Sequence, residues 1–296
     1  MKIDVLNKYH SITIFFLSSV LWITNLNLSY NFTSLICFFL IATIGVSHGA
    51  LDNLKGAKLL KKLSIKKDSL FYVGYIILAL FVVLLWSILP MITLLIFLLV
   101  ASFHFGKEDN VFAKRKVKFL DFFLFLKGSL VVSAPLYFHM SDTIKIFEIL
   151  NVNLGYINEK IILGAIIISL LSNFLISKKI LLSFLDSFSI ILLNITFTPL
   201  IAFTIYFCFL HSIRHSFSLI NEINKKNFNR GLISFLKLAL PLTAITCMIF
   251  LTSVYFLNNN YLLNSAILKV IFIGLASLTF PHILLEYLLE KNEKRT

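Results

Sequence analysis

Five of the seven histidines in this chain sit in strongly apolar stretches: His48 in GVSHGALD, His104 in ASFHFGKED, His211 and His215 in HSIRH, and His282 in FPHILLE. Burying an imidazole in hydrocarbon costs free energy unless a partner satisfies its nitrogens. His211 and His215 are four residues apart, so both rings leave a helix on one face, the spacing by which one helix gives two ligands to one metal ion. An isolated HxxxH pair is served equally well by packing or by a hydrogen bond. With His48 and His104 arriving from other helices, four neutral imidazoles can converge on one ion inside a bundle. Imidazole suits iron, copper, zinc and nickel, and carries no charge into the membrane.

The neighbours of these residues supply further candidates. Gly45 and Gly49 bracket His48, where small side chains let helices approach closely. Asp52 lies one turn past His48; it either accepts that ring's second N–H or is a solvated loop-edge carboxylate. His282 and Glu286, four apart, read more readily as groups behind the ligands than as ligands. Arg214, between the paired histidines, is expected to reach the cytoplasmic interface, with a substrate or structural pairing as the alternative. Lys127 and Asp186 fall mid-span and are expected to neutralise each other, while His10 and His139 fall at span ends. Cys37, Cys208 and Cys247 form no CxxC pair and read as buried thiols.

What must position these groups is a membrane bundle. The 296 residues are 58% apolar and only 14% charged, with a mean hydropathy of +0.91. Reading apolar runs between charge clusters gives about ten transmembrane helices, at 9–28, 31–53, 70–89, 91–106, 119–138, 158–176, 181–197, 198–220, 233–257 and 263–289. Turns are expected at Asn31, Leu89-Pro90, Thr198-Pro199 and Asn258 to Asn260. The first run lacks a small-residue cleavage site and reads as a span, not a leader. With both termini cytoplasmic, 22 of the 27 basic residues fall on the cytoplasmic side. These are Lys2, Lys8, six lysines from Lys55 to Lys67, Lys107, Lys114 to Lys118, Lys178, Lys179, Lys225, Lys226, Arg230, Lys237, Lys291, Lys294 and Arg295. Only Lys145 and Lys160 fall opposite, which is the asymmetry that insertion imposes. The formal charge of +13 is therefore a topology signal and not a nucleic-acid footprint, since no basic stripe exists outside the loops. The segment 139–157 is the one sizeable outer connection, patterned as a short interfacial helix. No repeat or second domain interrupts residues 1–296. On this topology all five histidines occupy the cytoplasmic half of the membrane, within roughly 10 Å of depth.

GVSHGALD, SFHFGKED, HSIRH and PHILLE, in this order along a multi-span chain, resemble the Brp/Blh family of membrane proteins that cleave β-carotene at its 15,15′ double bond with O2 to give two retinals. The resemblance runs from the second span to the tenth. It implies an Fe(II) centre held by His48, His104, His211 and His215, a location in the cytoplasmic membrane, and retinal supplied as chromophore to a microbial rhodopsin. Other classes fit less well. A metal transporter should carry polar residues along the outer halves of spans two, four and eight, which are almost purely apolar there. A haem carrier needs histidine pairs across the bundle, and a di-iron desaturase needs more histidine boxes than one HxxxH.

Overall fold

In the computed structural model, residues 3–24, 33–65, 67, 69–113, 117–155 and 157–293 are described, with the side chains of His48 and Glu293 outside that description. The expected turn at Asn31 and the basic residues Lys2, Lys66, Lys114, Arg115, Lys116, Lys294 and Arg295 also lie outside the described residues. Among the described residues the regular structure is all helical, joined by turns and short loops, with one isolated bridge between Ala113 and Ser177.

The helices are α1 (Ile3–Thr24), α2 (Thr33–Lys62), α3 (Ser69–Ile88), α4 (Pro90–Glu108), α5 (Leu120–Phe138), α6 (Met140–Ile149), α7 (Glu159–Ile176), α8 (Ile180–Thr196), α9 (Pro199–Ile223), α10 (Phe228–Leu257) and α11 (Leu263–Glu293). Eight of them, α2 to α5, α7 and α9 to α11, are long and apolar enough to cross a membrane. The chain is thus a polytopic helical membrane protein. The two other expected spans fall on α1 and on α8, which is apolar but only 17 residues long. Pro90 and Pro199 open α4 and α9 at the first helical turn, where a missing N–H leaves nothing unsatisfied. The 139–157 connection contains α6, the short helix its pattern suggested.

One boundary differs from expectation. α2 does not stop near residue 53 but continues to Lys62, because Asp52–Lys62 is an amphipathic helix rather than a polar loop. Lys55 on this extension bonds Glu286 of α11 at 2.8 Å. Two helices also depart from α geometry beside the histidines: α2 has a wide π turn at Ile41–Gly45 followed by a 3₁₀ turn at His48–Leu51, and α9 has a π turn at Tyr206–Ser212. Wide turns of this kind insert a residue into the helical register and concentrate at functional sites.

Close packing fixes the bundle around these turns. Gly45 faces Phe207, and a Cβ there would lie 2.6 Å from that ring; Gly49 has no such neighbour, so only one of the two glycines marks a close approach. α4 and α5 cross backbone to backbone at Gly106 and Gly128, where any side chain would run into the carbonyls of Leu124 and Ser102. A buried polar chain ties α5 to α7 and α8: Lys127 Nζ donates to Ser183 Oγ (3.2 Å), Ser183 Oγ to Asn173 Oδ1 (2.5 Å), and Asn173 Nδ2 to Ser187 Oγ (3.1 Å). In a dry interior such a network holds because every member has a partner.

Candidate metal centre

The HFGKED stretch that ends α4 does more than carry His104. It delivers Glu108 and Asp109 to the two histidines of α9. The Nδ1–H of His211 donates to Asp109 Oδ1 (3.1 Å), and that of His215 donates to Glu108 Oε2 (2.7 Å). The same arrangement recurs on α11, where His282 Nδ1 lies 2.9 Å from both oxygens of Asp52. Tyrosine hydroxyls fix two of these carboxylates in turn: Tyr206 donates to Asp109 Oδ2 (2.6 Å) and Tyr75 to Asp52 Oδ2 (3.0 Å). An ionised carboxylate only accepts, so each of the three rings carries its proton on Nδ1 and, when neutral, its lone pair on Nε2. All three Nε2 atoms are buried.

The rings themselves converge. His104 lies 5.2 Å from His211 and 5.2 Å from His282, centroid to centroid, and His215 lies 6.0 Å from His282. Ligand atoms of His104, His282 and Glu286 fall within 4.8 Å of one another, as do those of Glu108, His215 and Glu286. Three helices therefore bring four imidazoles and Glu286 into one buried cluster, at exposures of 0 to 6% for the histidines. His282, which the sequence pattern placed behind the ligands, stands as near to His104 as His211 does. His48 opens the 3₁₀ turn of α2, and its side chain lies outside the described set.

The charge balance fits a cation. Asp52 and Asp109 are buried at 4% and 7% exposure, and the side chains that bond them are tyrosines and imidazoles. A carboxylate out of water requires a compensating positive charge. An imidazolium or a bound cation supplies that charge at hydrogen-bond range, since the Arg214 guanidinium bonds Asp186, through Nη1 to Oδ2 (2.7 Å) and Nη2 to Oδ1 (2.9 Å). Buried imidazoles, three of the four held by a carboxylate at Nδ1, are a donor set that transition metals such as iron accept.

Two apolar chambers adjoin the cluster. The larger, about 1040 Å³ including its open mouth, is lined by His104 and His282, by Asp52 and Tyr75, and by apolar residues of α3, α4, α9, α10 and α11. The second, about 750 Å³, is lined by Val131, Pro135, Phe147, Ile190, Ala202 and Phe272 among others.

Residues 39–290, which include every residue of the cluster, match the family model described as β-carotene 15,15′-dioxygenase. The chain belongs to the β-carotene 15,15′-dioxygenase family. A curated member from an uncultured marine bacterium (66A03), named β-carotene 15,15′-dioxygenase, is 29% identical over 263 residues, covering 86% of this chain and 94% of that protein. No solved structure matches the chain significantly.

Several expectations about this dioxygenase-family chain are corrected by the geometry. Asp186 is neutralised by Arg214 and not by Lys127, whose ammonium is satisfied by Asp109 O (3.3 Å), Asn110 Oδ1 (3.4 Å) and Ser183 Oγ. Arg214 does not reach an interface: at 1% exposure it is buried against Ser11 and Asp186, with His10 beside it. His10 is held inside the bundle by Phe209 O at 2.8 Å rather than sitting at a span end. Asp52 is no solvated loop-edge carboxylate but is buried and bonds His282, 230 residues away, and Glu286 pairs with Lys55 while standing 3.9 Å from His282 Nε2. Sequence reading passed over Glu108, Asp109, Tyr75 and Tyr206. The signal was present in one place only: two adjacent acids ending an apolar span, directly after a histidine.

Proposed function

We propose that this chain cleaves β-carotene at its central 15,15′ double bond with O2, giving two molecules of retinal, and that Fe(II) is the metal it uses. The observation that carries the reading is the repeated imidazole–carboxylate pair, His211–Asp109, His215–Glu108 and His282–Asp52, in one buried cluster. We take His48, His104, His211 and His215 as the ligands the family resemblance implies, with His282 closing the same cluster and Glu286 at its edge. Bound iron would supply the capacity to activate O2, which no amino-acid side chain possesses.

The stoichiometry is self-contained. One carbon–carbon double bond breaks, two carbonyl groups form, and both atoms of O2 end in the two aldehydes. The four electrons that O2 accepts come from the alkene, so no reductant is required. The protein's own task is to bind, orient and exclude water. Asp52, Glu108 and Asp109 keep Nδ1 protonated and turn each Nε2 inward. Tyr75 and Tyr206 hold Asp52 and Asp109 in place. The apolar chamber beside His104 and His282 admits a hydrocarbon polyene and offers it few polar contacts. A rigid substrate about as long as the hydrocarbon core enters sideways from lipid. The outer part of the chamber wall at Tyr72 and Ile76 is 45% and 57% exposed on α3, a surface that faces lipid in a membrane. The chain acts as a single domain, with both termini on the cytoplasmic face of the cytoplasmic membrane, and its retinal serves a rhodopsin as chromophore.

The test is expression in cells that make β-carotene, with pigments extracted and metals measured on the purified protein. Pale cells containing retinal, and iron bound near one per chain, support the proposal. Unchanged carotene with no retinal rejects it.

A further inference from the structure

The two apolar chambers share part of their walls. Phe97, Ala101, Phe105 and Phe203 line both. The Phe105 ring stands 4.9 Å from the His211 ring and 5.9 Å from that of His104, so the partition between the chambers is also a wall of the histidine cluster. Ala101 and Phe105 are four apart on α4, and Ala101 and His104 three apart, which stacks partition and ligand on adjoining faces of one helix. The partition is made of rings packed on rings: Phe203 stacks on Phe207 at 5.4 Å and on Phe272 at 5.9 Å. Ala101 is its one small member. Phenyl rings change shape by rotation about χ1 and χ2, whereas a backbone wall would not yield.

We infer that the two chambers are the two arms of one tunnel, gated by Phe97, Phe105 and Phe203 around Ala101, and that the second chamber holds the half of the polyene beyond the bond to be cut. The inference rests on the proposed cleavage of β-carotene. A symmetric molecule cut at its midpoint has two equal halves, so the cutting point needs room on both sides. One chamber touching His104 and His282 houses one half; the other half passes the aromatic gate. The gate then does two things. It grips the flat conjugated chain between rings, and it sets the central bond at the histidine cluster. Ala202, at 1% exposure, lines only the far chamber. It lies nine residues before His211 on α9.

The experiment compares two substrates in one preparation: β-carotene and β-apo-8′-carotenal, which has one intact ring and a shortened second arm. The variant Ala202→Phe fills the far chamber, and Val131→Trp fills it from the α5 side. The expected result is a fall of about tenfold or more in kcat/KM for β-carotene relative to the shortened aldehyde. Because the readout is a ratio within one sample, the fraction of correctly folded protein cancels. Binding of β-carotene to purified protein without O2, followed by its absorption spectrum, should weaken in the same order. Equal losses on both substrates, or no loss on either, with the parent protein active, overturns the tunnel. A parent protein that forms no retinal from either substrate rejects the cleavage reaction itself, and the tunnel with it.

Discussion

Replacing Asp52 by Asn removes one charge and nearly no volume, which isolates what the carboxylate does for His282. In the structure both Asp52 oxygens lie 2.9 Å from His282 Nδ1, and Oδ2 also accepts the Tyr75 hydroxyl at 3.0 Å. An amide keeps one acceptor oxygen. Its NH2 group must then face either the imidazole N–H or the tyrosine hydroxyl, so one of the two contacts is lost or reversed. A charge-assisted bond contributes about 1.5–3 kcal/mol against about 1 kcal/mol for a neutral one. The buried site also loses one of the negative charges that favour a dication. Loss of such an orienting partner lowers metal affinity or activity about 10- to 100-fold. The assay is iron occupancy of purified protein equilibrated against a chelator-buffered Fe(II) series, with retinal formation measured in parallel. Tyr75→Phe should give a smaller shift in the same direction, since it removes a bond and no charge. Iron affinity and retinal yield within about twofold of the parent in Asp52→Asn would refute the claim that Asp52 orients a ligand through His282.

Alanine at His104, His211, His215 or His282 should leave the protein inserted but deplete bound iron and abolish retinal formation; a variant that keeps both full iron and full yield takes that residue out of the centre. Incubation with a strong Fe(II) chelator should abolish activity, and added Fe(II), but not Zn(II), should restore it, since d¹⁰ zinc carries no redox chemistry. Arg214→Met should destabilise the protein by about 3–5 kcal/mol by stranding Asp186, and the double change Arg214→Met with Asp186→Leu should recover most of that, read as thermal stability in detergent. Gly128→Ala should lower folded yield, because its methyl would meet the Ser102 carbonyl where α4 and α5 cross; backbone contact leaves no flexible side chain to give way, and a parent-like melting temperature would show the crossing is looser.

What the sequence by itself determined was the membrane bundle and the existence of a histidine site. Apolar runs of membrane length are local properties, and the eight long helices fall where those runs lie. The HxxxH spacing is local as well, so the common face of His211 and His215 was legible without coordinates. What only the tertiary structure decided was which charge meets which. Asp52 reads in sequence as a neighbour of His48 or a loop-edge charge, and nothing local announces that it bonds His282 from the far end of the chain. Asp186 lies at the depth of Lys127 on the sequence map, yet α9 packs Arg214 against it instead. The physical reason is register. The π turns at Ile41–Gly45 and Tyr206–Ser212 rotate the following residues out of the 3.6-residue period. Partners separated by 100 to 230 residues are then chosen by helix rotation and close approach, which no one-dimensional pattern records.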